Sequence, residues 1–127
     1  MCHIPDSMNK KIILLEDDFD TNEIITLVFE PEGFEVITSK VASLHSDIEL
    51  INPDVIISDY RLGESKTGAD LCKELKADLK TAKIPFVLTS AVNDLPTIAF
   101  ECNADGYIEK PFDIANIVFV VRGLLRK

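Results

Sequence analysis

Short apolar runs and helical stripes alternate along the chain. Lys11-Ile12-Ile13-Leu14-Leu15-Glu16 is a nearly continuous apolar run, the pattern of a strand covered on both faces. Between Thr21 and Glu30, the pairs Ile24/Val28 and Ile25/Phe29 stand four apart and predict a helix, closed by Pro31 and Gly33. Phe34–Thr38 reads as a second strand, more polar, as at a sheet edge. Val41, Leu44, Ile48 and Ile51 repeat at three, four and three and predict a second helix, after which Asn52-Pro53 turns the chain. Asp54–Asp59 is a third strand, apolar until its last residues. Leu71, Leu75 and Leu79 at four-residue steps predict a third helix. Ile84–Thr89 reads as a fourth strand with its proline tolerated at the start. A short helix fits Asp94–Cys102, a fifth strand Asp105–Glu109 and a last helix Asp113–Arg126. Within that last segment, Asn116–Val121 is β-branched and locally prefers strand. A helix is still predicted, because Ile114, Ile117, Val118, Val121 and Leu125 fall on one helical face.

Five strands alternating with five helices predict an α/β fold, a parallel sheet with helices on both faces. In such sheets, sites form beyond the carboxyl ends of the strands. The chain has 127 residues, room for a single domain with a real core. Residues 1–9 read as a flexible leader and residues 10–127 as the domain. A formal charge of −9 argues against nucleic acid or anionic lipid as a direct partner, because phosphates would be repelled. No apolar run approaches the ~18 residues of a membrane span, and the start lacks a signal peptide's basic and apolar regions. Cys2, Cys72 and Cys102 are odd in number and scattered, which predicts reduced thiols and a cytoplasmic location.

The predicted strand ends carry chemistry. The first ends in Glu16-Asp17-Asp18, the third in Asp59 and the fourth in Thr89-Ser90-Ala91; Lys110-Pro111 follows the fifth. Carboxylates so grouped repel one another and raise at least one pKa. A hard divalent cation relieves that repulsion, and Mg²⁺ suits a shallow acidic cleft because it keeps waters and takes one or two carboxylates. Taken alone, the acids also fit a solvated loop in which Asp18 or Asp20 caps a helix. Ser90 alone fits a helix cap, and Lys110 a solvated lysine. The first strand–helix junction has no glycine and would repel a nucleotide phosphate, so flavin or dinucleotide binding is not expected. A carboxylate aimed from the end of a buried strand, as Asp59 is, can act as a nucleophile on phosphorus. Phosphoryl transfer then needs positioning and positive charge, which Mg²⁺ and Lys110 would supply.

With these positions assembled, the chain resembles the receiver domain of two-component response regulators. The resemblance rests on Leu15-Glu16-Asp17-Asp18, on Asp54 through Leu62, on Leu88-Thr89-Ser90-Ala91 and on Ala104 through Phe112, in order and at near-family spacing. It implies the strand order 2-1-3-4-5 of the flavodoxin-like, chemotaxis-receiver-like fold. It implies Asp59 as phosphoacceptor. Mg²⁺ would be held by Asp17, Asp59 and the Arg61 backbone carbonyl, and by Glu16 through water. Ser90 and Lys110 would meet the phosphoryl group, Ser90 and Tyr107 would be the switch pair, and Lys110-Pro111 would be cis. The implied partner is a histidine kinase or a histidine phosphotransfer domain. Phosphorylation would switch the surface of the fourth helix, fifth strand and last helix. Phe119 and Val120 are expected to form an apolar patch there for a second copy or a downstream protein. Turnover of an ordinary enzyme is not expected, only self-phosphorylation from small donors and self-dephosphorylation.

Three features depart from the family pattern. The segment after Asp59 reads Tyr60 to Gly68, one residue longer than usual, with Gly63 where proline is common. The stretch from Ser90 to Tyr107 is shorter, so the fourth helix is expected to be short. The last helix is apolar beyond its core face. The chain stops just after that helix, which fits either a single-domain regulator or a receiver cut from a larger protein. Two rival functions are an aspartyl-phosphate phosphatase of the haloacid dehalogenase type and a pseudo-receiver that binds partners without phosphorylation. The first expects an Asp-x-Asp nucleophile on the first strand, whereas Asp59 is on the third and Arg61 holds the second acid's place.

Overall fold

The computed structural model describes residues 10–63 and 65–125. The expected leader, residues 1–9, lies outside the described residues. In chain order the elements are β1 (Lys10–Leu15), α1 (Phe19–Phe29), β2 (Phe34–Thr38), α2 (Leu44–Ile51), β3 (Val55–Asp59), α3 (Gly68–Ala77), β4 (Phe86–Ser90), α4 (Leu95–Glu101), β5 (Gly106–Glu109) and α5 (Ile114–Leu125). All strand pairs are parallel and the sheet order is β2-β1-β3-β4-β5. This is the expected α/β architecture in the expected order.

Strand geometry explains why apolar runs, not alternation, mark the central strands. Successive side chains of β1 point to opposite faces, and both faces are covered. Ile13 and Leu15 join one core with Leu44, Ile56, Leu75 and Leu88, while Ile12 and Leu14 join another with Phe29, Ile57, Ile117 and Val121. The first core lies under α2, α3 and α4, the second under α1 and α5. Phe29 and Phe34 meet edge to face, 5.2 Å between centroids, and tie the end of α1 to β2.

Several element boundaries differ from the sequence pattern. The leucine stripe predicts a third helix that reaches Leu79, but α3 ends at Ala77 and Leu79 is 90 % exposed. Asp78 adopts an extended backbone, and Thr81 turns its hydroxyl back to the Leu75 carbonyl at 2.7 Å, which stops the helix. Lys76 closes the same corner by donating to Ala82 O, Ile84 O and Asp105 Oδ2. Ile114, expected on the buried face of α5, is the helix's first residue and is exposed; Ile117 and Val121 carry the core. Val41 packs from a short 3₁₀ turn ahead of α2, and Glu30–Glu32 forms another after α1. Ile84 and Pro85 precede β4, whose strand runs on to Ser90. α4 is seven residues long, short as expected, with Pro96 in its first turn.

Candidate functional site

The carboxyl ends of β1, β3 and β4 and the start of the β5–α5 link converge at one end of the sheet. Pairing aligns Leu15 with Ser58, Asp59 with Thr89 and Ser90 with Glu109. The ladder continues past the strands: Tyr60 N–H donates to Thr89 O and Lys110 N–H to Ser90 O. These main-chain bonds fix where the Asp59, Ser90 and Lys110 side chains start.

Lys110 lies between two acids. Its Nζ is 2.9 Å from Glu16 Oε1 and 3.5 Å from Asp59 Oδ2. Glu16 is buried, and its other oxygen accepts from the Asp18 N–H at 3.1 Å. Asp59 is partly buried, and burial, then the Glu16 charge, push its carboxyl above the usual range against the pull of Lys110. Burial lowers the Lys110 ammonium, but the hydrogen bonds and charges of Glu16 and Asp59 outweigh it and leave its titration raised. Lys110 also lies 5.7 Å from the centroid of the Phe112 ring, and the Lys110-Pro111 peptide is cis.

A cavity of about 410 Å³ opens beside this group, lined by Asp59, Arg61, Ser90, Ala91, Val92, Asn93 and Lys110. Ser90 is buried, and its hydroxyl accepts from the Val92 N–H at 3.2 Å. A second cavity of about 400 Å³ lies on the β2 side, lined in part by Glu16, Asp17, Ser39 and Leu62. Asp17 is exposed, and its carboxylate rests against Gly63. Asp18 takes the helix-capping role that the sequence left open: its carboxylate accepts from Thr21 N–H at 2.9 Å and Thr21 Oγ1 at 2.6 Å. Those bonds hold its titration below the usual carboxylate range.

Sequence reasoning missed Asn22. Its Nδ2 donates to Glu16 O at 2.7 Å and to Asp18 O at 3.2 Å, so it clamps the acidic turn from inside. Its Oδ1 is buried without a partner. A polar residue inside a mostly apolar helix stripe was the signal. Tyr107, the expected switch aromatic, is 40 % exposed on β5. Phe119 is 76 % exposed on α5, whereas Val120 is half-buried and packs toward Gly106. Val120 therefore belongs to the α5–β5 contact more than to an outward patch, since α5 lies flat on a glycine there.

The donor set suits a hard cation. Its carboxylates are the hard oxygen donors such an ion takes, and they are divided between the two cavities, Glu16 and Asp17 lining one and Asp59 the other. Among the described residues, no group of three His, Cys, Asp or Glu side chains is assembled to hold a metal ion.

Comparison with known proteins bears on all of this. The family model of the response regulator receiver domain matches residues 12–122. The DNA-binding response regulator MtrA of Mycobacterium tuberculosis is 34 % identical over 126 residues, covering 96 % of this chain and 53 % of that protein. The phosphate regulon transcriptional regulatory protein PhoB of Pseudomonas aeruginosa is 29 % identical over 123 residues, covering 94 % of this chain and 53 % of that protein. The chain thus spans about half the length of these curated relatives. A putative response regulator from Chloroflexus aurantiacus superposes with a TM-score of 0.86 at 26 % identity, over 94 % of this chain and 99 % of that one. Chemotaxis protein CheY4 of Vibrio cholerae shares the fold, with a TM-score of 0.81 at 18 % identity, over 92 % of this chain and 99 % of that one.

Proposed function

The chain belongs to the response regulator receiver domain family of two-component systems, and from that premise we propose that Asp59 is its phosphoacceptor. The observation that carries this reading is the Lys110 ammonium shared between Asp59 at 3.5 Å and buried Glu16 at 2.9 Å, beside an open cavity. An Asp59 oxygen attacks phosphorus and forms the P–O bond. The bond from phosphorus to the imidazole nitrogen of a phosphohistidine, or to a small acyl donor, breaks, and the leaving group takes the electron pair. Lys110 meets the charge on the phosphoryl oxygens, and the Ser90 hydroxyl, free to turn from Val92, donates a hydrogen bond. Asp17, Asp59 and the Arg61 carbonyl would hold Mg²⁺, with Glu16 acting through water. Bound there, the ion would neutralise phosphoryl charge.

The phosphoryl group adds about −1.5 to −2 charge and three acceptors. Ser90 moves toward it, and Tyr107, now largely outward, fills the space left. The face of α4, β5 and α5 changes as a result. Phe100, Tyr107 and Phe119 are exposed on those three elements, and this face is the docking surface for a second copy or a downstream protein. A histidine kinase or histidine phosphotransfer domain is the donor. The negative net charge disfavours direct nucleic-acid contact by this domain. Buried free thiols at Cys72 and Cys102 support a cytoplasmic setting. No helix among the described residues is long and apolar enough to cross a membrane. We assign residues 10–127 to the receiver.

Beryllium fluoride with Mg²⁺ tests the reading without covalent chemistry. Amide resonances of Asp59, Ser90, Tyr107 and Lys110 should shift together, and those of the α4–β5–α5 face with them. Unmoved resonances at Ser90 and Tyr107 would contradict it.

A further inference from the structure

We propose that Gly63 is a positioning residue for the divalent cation, acting through the Asp17 carboxylate; this rests on the reading of Asp17 as a cation ligand. Gly63 sits in the β3–α3 connection with φ +68°, in the left-handed region. A β-carbon built on it would lie 2.7 Å from Asp17 Oδ2 and 3.8 Å from Asp17 Cγ. The carboxylate therefore occupies the space that any other residue's β-carbon would take.

Neither backbone can retreat easily. On one side, Leu62 is only 5 % exposed and anchors the loop in the core. On the other, Asn22 holds the carbonyls of Glu16 and Asp18, the residues flanking Asp17. With both chains pinned, a methyl group at position 63 displaces the carboxylate itself. Arg61, two residues earlier on the same loop, lines the cavity that contains Asp59 and Lys110. The same loop thus carries both Arg61 and the glycine against which the Asp17 carboxylate rests.

The chain supplies its own control. Gly33 has φ +91°, and a β-carbon added to it would meet nothing within 4 Å. Gly33→Ala and Gly63→Ala share the left-handed strain, but only the second touches a proposed ligand. Gly63→Asn and Gly33→Asn repeat the pair with a residue that tolerates this backbone, should alanine prevent folding.

The test is calorimetric titration of the unphosphorylated full chain with MgCl₂, with thermal melting run in parallel. Both glycine positions should lose comparable melting temperature, and only the Gly63 variants should lose cation affinity, by about tenfold. Wild-type affinity or tighter binding in Gly63→Ala and Gly63→Asn overturns the proposal. Asp17→Asn separates the ligand from its support. If it binds Mg²⁺ as wild type does, the reading of Asp17 as a ligand fails and the proposal falls with it. If it weakens binding while the Gly63 variants do not, only the positioning role falls.

Discussion

Gly68→Ala places a methyl group where the fold leaves no volume. The added β-carbon would stand 2.3 Å from the Asp59 carbonyl oxygen, 2.9 Å from Ser58 Oγ and 3.0 Å from Leu88 Cδ1. Ordinary C···O contacts begin at about 3.3 Å, so the start of α3 and the end of β3 must part by roughly 1 Å. Leu88 and Ser58 are fully buried and cannot swing clear. The Gly68 N–H also donates to Tyr60 O at 2.8 Å, tying the helix start to the same strand end. Overpacking of a tight core costs about 1–3 kcal/mol, and contact with backbone puts this case near ~3 kcal/mol. Unfolding entropy of about 2.1 cal/mol/K per residue makes each kcal/mol worth ~4 °C in a chain of this length. The melting temperature should fall by roughly 8–12 °C, read by calorimetry and urea denaturation together. Gly123→Ala is the counterpart: it lies inside α5 with nothing within 4 Å, and should gain about 1 kcal/mol from helix propensity. A Gly68→Ala protein melting within about 2 °C of wild type would refute the packing argument.

Protonation supplies the next expectations. The Asp59 carboxyl is raised in the fold by burial and then by Glu16, so folding stability falls as pH rises from the ordinary 3.8 through the folded value. Asp59→Asn should therefore raise the melting temperature at neutral pH and lose that advantage below the ordinary value; equal gains at both would contradict the cause. Lys110 is raised as well, so its contribution is whole below the ordinary 10.5 and disappears as pH climbs through the folded value. Lys110→Met should lack that alkaline loss, and its Asp59 carboxyl, followed by carbon NMR, should titrate higher than in wild type. Phe119→Glu puts charge on the exposed α5 aromatic; light scattering with beryllium fluoride should show a wild-type mass increase that this variant lacks, and an unchanged profile would count against the docking face.

Much of the architecture was legible because burial on two faces writes a plain signal. Continuous runs such as Ile12–Leu15 and Val55–Ile57 can only be central strands or buried helix, and their length and flanking turns decide. The ends of helices were less legible. Leu79 keeps the four-residue step of Leu71 and Leu75, yet the chain leaves the helix at Asp78 because Lys76 and Thr81 find carbonyl partners in the turn. Ile114 fits the α5 wheel, but it is the helix's first residue and is exposed, and burial on that face begins only at Ile117. At the site, strand-end positions placed Glu16, Asp59, Ser90 and Lys110 together, since parallel strands end in register. The resting place of Asp17 on Gly63 was not legible, because the sign of a loop φ is set by tertiary contacts. Asn22 stood out as a polar residue in the helix stripe, but its partners were not legible, because its amide donates to backbone carbonyls, which every sequence has at every position.

The most direct measurement is the intact mass of the chain after incubation with acetyl phosphate and Mg²⁺, beside Asp59→Asn and a sample with chelator. One phosphoryl group should be added to the wild type, and none to Asp59→Asn or to the chelated sample. Addition of the same group to Asp59→Asn, or none to wild type over a range of donor concentrations, would contradict the account.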